Sequence, residues 1–179
     1  DESAWTQTAS TPIGLYSIGI RGLDVPDLIA FAAVHRVPFL HLRGGAKGFD
    51  LAARSRSTLD AWAGQIRDQK VPVTLVTSDA DLIDFLASGT AAHRAALSEL
   101  ERLAEAAAVL GASAVRLLAR HPLPRSQRTG LAIADLAGRH GLRTLVELHH
   151  PDWFAPSQLP VVDDLLIGQL GLGLLIDSA

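Results

Sequence analysis

Cysteine is absent from the sequence, which excludes disulfides and thiolate metal sites but does not fix the compartment. Methionine is absent too, even at position 1, so the natural start is expected upstream of Asp1. No run of eighteen apolar residues occurs, and no membrane-spanning helix is expected. The opening residues 1–10, DESAWTQTAS, lack a basic region followed by an apolar one. They read as a flexible solvated tail rather than a signal peptide, mobile unless Trp5 docks. Basic excess is missing as well. The net charge of −3 offers nothing to grip a phosphate backbone, so nucleic acid is not an expected partner. The cytoplasm is the default location.

What is present is a long apolar inventory, 48% of 179 residues, enough for one domain with a sizeable core. One pattern recurs six times: a short β-branched or leucine-rich run, a polar loop, then an amphipathic helix. The runs cover residues 13–20, 38–43, 71–77, 114–120, 142–149 and 172–177. Each has strand length and is bounded by Gly, Pro or charge, as buried parallel strands are. Between them, Leu59, Trp62, Ala63 and Ile66 fall at helical spacing, as do Ile133, Leu136, Ala137 and His140. Leu97, Leu100, Leu103, Ala107 and Leu110 line a further helical face. Asp24 with Pro26 opens the first helix, and Thr90 caps the long alanine-rich one. Gly111 and Gly141 sit where a left-handed C-terminal residue is needed.

Six βα alternations without a dinucleotide-binding glycine fingerprint leave a doubly wound sheet or a barrel. A complete (β/α)8 barrel needs about 250 residues, so residues 11–179 are expected to form strands one to six, with the last two units missing. The chain also ends on a strand with no covering helix, a bare edge that points the same way.

In a barrel the chemistry lies at the C-terminal ends of the strands. Side chains alternate along a strand, so Thr144, Val146 and Leu148 face the helices while Glu147 and His149 point into the mouth. By the same parity Asp177 points inward at the top of the sixth strand. His41 and Arg43 share the inner face of the second, between outward Leu40 and Leu42. Two carboxylates on adjacent strands beside a histidine make a hard oxygen-and-imidazole site suited to Mn2+, Mg2+, Co2+ or Zn2+. The competing reading of Glu147 is a buried ion pair with Arg43 or Arg116; that of His149 is a hydrogen-bonded mouth histidine. The turn Gly44-Gly45-Ala46-Lys47-Gly48 follows the second strand. Its N–H groups with Arg43 and Lys47 could hold an anionic or polyhydroxy substrate, or it is a loop with a solvated lysine. Trp153 and Phe154 either wall the pocket or pack under the loop.

The segment VELHHPDWF, residues 146–154, resembles the Glu-x-His/Asn end of strand five in xylose-isomerase-like TIM barrels. GLLIDSA, residues 173–179, resembles the Asp-containing end of strand six, and residues 103–119 resemble the fourth-strand region of the same superfamily. The resemblance covers about residues 11–179. It implies a sugar phosphate isomerase/epimerase-like enzyme whose divalent metal is held by Glu on strand five, Asp on strand six, His on strand seven and Glu on strand eight. Glu147 and Asp177 match the first two ligands. The other two would lie past Ala179. The implied chemistry is proton transfer next to a carbonyl through a metal-stabilised enediolate, with Glu147 also the acid/base. His41, Arg43, Lys47 and His149 would orient substrate oxygens. On that reading Glu147→Gln abolishes turnover and leaves the fold intact. The expected partner is a small polyhydroxy or keto substrate, with room for a homo-oligomer. A lyase or dehydratase, an apurinic endonuclease of the same fold, and a catalytically silent barrel are the rivals. The endonuclease site requires more strand-end histidines than this sequence offers, and the acidic balance disfavours duplex DNA.

Overall fold

A computed structural model describes residues 12–85, 88–123, 132–166 and 172–175. The amino-terminal tail and Asp177 lie outside the described residues. Six strands form one sheet: β1 (Leu15–Tyr16), β2 (Leu40–Arg43), β3 (Val73–Asp81), β4 (Ala114–Ala119), β5 (Arg143–Leu148) and β6 (Leu172–Leu175). They follow one another in sequence order, and every adjacent pair is parallel. Sequential parallel order is what a barrel wall requires and what a doubly wound sheet lacks. Among the described residues, β1 and β6 are the two edge strands.

The intervening helices are α1 (Val25–Val34), α2 (Arg56–Gln69), α3 (Ala91–Val109), α4 (Ala132–Gly138) and α5 (Leu159–Leu166). Three begin on side-chain caps that satisfy otherwise orphaned N–H groups. Asp24 Oδ1 accepts from the Asp27 N–H at 3.0 Å, Ser55 Oγ from Thr58 at 3.2 Å, and Thr90 Oγ1 from His93 at 3.0 Å. Gly111 and Gly141 turn the chain out of α3 and α4 at φ of 80° and 73°, conformations that a Cβ disfavours. His140 falls just past α4 and bonds Glu101 at 2.9 Å rather than completing the apolar face. No described helix is long and apolar enough to cross a membrane.

The core lies between the sheet and this helix layer. Leu28, Ile29 and Ala32 of α1, Leu59, Ala63 and Ile66 of α2, and Leu100, Leu103, Ala104 and Ala107 of α3 are buried in it. They pack on the outward set of the strands, including Leu40, Leu42, Val73, Val76, Val115, Leu117 and Val146. Alternation therefore sends the remaining residues of each strand to the inner face.

Two strand boundaries depart from the sequence pattern. The first run was expected over 13–20, but β1 is only two residues and passes into a 3-10 turn, Ser17–Gly19. The Ser17 hydroxyl there accepts the Arg43 N–H at 2.9 Å, holding the turn over the end of β2. The third run was expected to end at Thr77, but β3 runs on to Asp81, because its polar residues find arginine partners at the mouth.

Candidate active site at the strand ends

Strand register stacks the inner residues in layers. Tyr16, His41 and Leu75 stand opposite one another. Above them come Arg43, Thr77, Arg116, Leu145 and Gly173 in one row. Asp81, Leu118, Glu147 and Leu175 form the next row. Gly173 is small for a reason: a Cβ there would come within 2.7 Å of the Leu145 Cδ2.

Glu147 is 5% exposed, and both of its oxygens are engaged. Oε2 lies 2.8 Å from Arg116 Nε, and Oε1 lies 2.7 Å from His149 Nε2. The Arg116 Nε–H does not point along that short contact, so the pair is held by charge more than by an aligned hydrogen bond. The guanidinium is anchored from its far side. Its Nη1 donates to the Ser78 carbonyl at 3.2 Å and its Nη2 to the Tyr16 hydroxyl at 3.3 Å, which contacts Thr77 Oγ1 at 2.9 Å. Of the two partners considered for Glu147, the structure places Arg116 there. Arg43 instead reaches Asp79, at 3.3 Å.

Asp79 organises the glycine-rich turn. Its second oxygen accepts the Lys47 backbone N–H at 2.8 Å, while the Lys47 side chain is exposed. Close packing accounts for the glycines. A methyl group at Gly48 would overlap the Arg43 carbonyl oxygen, and one at Gly45 would overlap the Asp79 carboxylate. Internal bonds from Gly48 N–H and Asp50 N–H to the Gly45 carbonyl make the turn compact. On the far side of β3, Arg120 spans Asp81 at 3.7 Å and the Asp79 carbonyl at 3.1 Å.

His41 lies two rows below Glu147 and does not meet it. Burial holds its imidazole below the ordinary value of 6.5, because desolvation disfavours the charged ring. The folded state then binds fewer protons than the unfolded state in the interval below 6.5. The stability tied to neutral His41 is complete above that value and is lost as pH falls toward the folded value. Urea midpoints measured from about pH 7 to pH 5 should therefore fall less steeply in His41→Asn than in the parent. Equal slopes would refute this.

Trp153 is fully buried and donates its indole N–H to the Ala119 carbonyl at 2.9 Å, so it packs under the loop after β5. Phe154 is exposed. Asp79, Asp81, Arg120, Tyr16 and Ser17 join the mouth without having been singled out from sequence. The available signal was the run Thr77-Ser78-Asp79-Ala80-Asp81, with Arg116 alone in an apolar fourth strand.

The Glu147 oxygen and the His149 nitrogen at the mouth suit a hard divalent cation. The two atoms contact each other at 2.7 Å, and Arg116 lies against the other carboxylate oxygen. Among the described residues no third His, Asp, Glu or Cys joins them to make a complete site.

No protein-family model matches the sequence, and no curated protein matches it significantly. Solved structures do match. A D-psicose 3-epimerase in the presence of D-fructose aligns over 92% of this chain and 62% of its own, with a TM-score of 0.68 and 18% identity. The probable 3-DHS dehydratase of Bacillus anthracis aligns over 93% and 63%, with a TM-score of 0.67 and 18% identity. A xylose isomerase-like TIM-barrel protein of Mycobacterium smegmatis, in complex with magnesium, aligns over 92% and 64%, with a TM-score of 0.58 and 15% identity. The chain thus spans somewhat under two thirds of the length of each. The fold that these structures share with this chain is the TIM barrel, six strands of which lie among the described residues.

Proposed function

We propose that this chain carries the strand-five half of the active site of a metal-dependent sugar or sugar phosphate isomerase/epimerase, which moves a proton next to a carbonyl. The observation that carries the reading is a carboxylate buried at the end of β5 with one oxygen turned to a mouth histidine. Neighbours of this fold include an epimerase and a dehydratase, and one is bound to magnesium, which supports the class of chemistry.

Glu147 and His149 would hold the metal from this side, with Asp177 as the third donor by the parity of β6. The metal, when bound, supplies Lewis-acid stabilisation of the charge that develops on substrate oxygens. Glu147 accepts the proton from the carbon beside the carbonyl and returns it, a role its fixed position favours. Arg116 restrains the carboxylate through its second oxygen. Arg43 and Lys47 orient the distal part of the substrate.

The test is deuterium exchange. The protein is incubated in D2O with Mn2+ and a panel of ketohexoses, aldoses and 2-keto acids, and label is read at the carbon beside the carbonyl by NMR. Incorporation with recovery of an isomer is the expected result. Loss of water from the substrate would assign a dehydratase instead. Absence of label from every substrate, together with no Mn2+ retained, would leave the silent barrel.

A further inference from the structure

We infer that the cavity between the turn after β1 and the glycine-rich loop after β2 is an anion subsite, which takes the phosphate or carboxylate group of a small substrate. The cavity measures about 400 Å3 and lies over the C-terminal ends of both strands. That volume falls within the range of small-molecule pockets. Its walls include Ser17, Ile20, Arg21, Arg43, Lys47 and Phe49. Three of the lining residues are cations, and among the described residues no carboxylate lines it.

The local structure presents these charges together. Gly22, at φ 103°, turns the chain immediately after Arg21. Ser17 Oγ ties the same turn to the Arg43 backbone. Asp79 fixes both the Arg43 guanidinium and the Lys47 backbone from behind, and it neutralises only one of the three charges. Neither the Arg21 nor the Lys47 side chain forms an ion pair with a described residue. Like charges gathered around one concavity repel one another, and an oxyanion relieves that repulsion with charge-assisted hydrogen bonds. A neutral polyhydroxy group would leave the excess charge unmatched. The arginine forks match the planar carboxylate and the phosphate faces in two-point fashion.

The inference rests on the proposed function only in assigning the anion to a substrate; the binding itself requires neither metal nor turnover. Inorganic phosphate and glycolate are titrated calorimetrically into the protein at low ionic strength without added metal, with glycerol as the neutral reference. At least one anion should bind ten times or more tighter than glycerol. Arg21→Gln and Lys47→Gln should each weaken that anion by about tenfold, the scale of one charge-assisted contact. Arg21→Lys should fall between the parent and Arg21→Gln, because it keeps the charge but loses the two-point fork, and glycerol should not respond to any substitution. The tighter anion identifies the group. Anions that bind no better than glycerol, or that ignore both glutamine substitutions, would overturn the subsite. Anion binding without deuterium exchange would keep the subsite and remove the isomerase, and exchange without anion binding would do the reverse.

Discussion

Arg116→Met should cost about 3 kcal/mol of folding stability, the low end of what removing one member of a buried ion pair costs. The side chains of Arg116 and Glu147 are 8% and 7% exposed, so water cannot replace the lost guanidinium. His149 remains beside the other oxygen and is half exposed, which keeps the loss at the low end. The Ser78 carbonyl and the Tyr16 hydroxyl also lose a donor. For a chain of this length, about 3 kcal/mol lowers the melting temperature by roughly 6–12 °C. The double variant Arg116→Met with Glu147→Leu should recover most of the loss, because an apolar pair of similar volume removes both desolvation penalties. Urea denaturation of the parent, the two single variants and the double variant closes the cycle. A single-variant loss under about 0.5 kcal/mol would mean that the pair is solvated and that the inner layer is built differently. Recovery in the double variant would show that the pair is kept for a reason other than stability.

The helix-facing half of the fold was readable because its physics is local. Alternation in LVEL, the caps at Asp24 and Thr90, and the glycines at 111 and 141 all act within a few residues. The structure uses each as expected. The inner half was less readable because its partners are distant in sequence. Tyr16 and Arg116 stand a hundred residues apart, yet they share a hydrogen bond. The end of β3 looked like a loop because Asp79 and Asp81 are poor strand formers. Arg43 and Arg120, brought in by β2 and β4, let those carboxylates sit at the mouth at modest cost.

The candidate site divides along the same line. The parity of β5 was enough to send Glu147 and His149 inward together, and they meet at 2.7 Å. Parity was also enough for His41 and Arg43, but it says nothing about height. Register puts His41 two rows below Glu147, and the bulge between Leu40 and His41 shifts that register further from what counting residues predicts. The glycine-rich turn carried its signal in composition, while its organiser, Asp79, lies more than thirty residues away.

Glu147→Gln should lower turnover by at least about 100-fold on whichever substrate the deuterium panel identifies, the usual contribution of a positioned general base. Glutamine keeps the volume and one acceptor oxygen but cannot take a proton from carbon. Mn2+ retention should fall only in part, since His149 and donors elsewhere remain. The sequence alone suggests an unaffected fold, and the contact with Arg116 adds a cost to that expectation. A buried guanidinium would face a neutral amide, which should remove about 2 kcal/mol of stability. A domain with about 5–15 kcal/mol to lose stays folded after such a change, so activity can be read on native protein. Three measurements separate the contributions: turnover, metal retained after gel filtration, and the urea midpoint. Glu147→Asp serves as the control, because it restores the charge beside Arg116 while withdrawing the carboxylate from the substrate. It should regain stability ahead of turnover. Parental turnover in Glu147→Gln would end the assignment of Glu147 as the proton acceptor, whatever the melting curve showed. Lost turnover with stability reduced by about 2 kcal/mol would show that a single carboxylate serves both the ion pair and the chemistry.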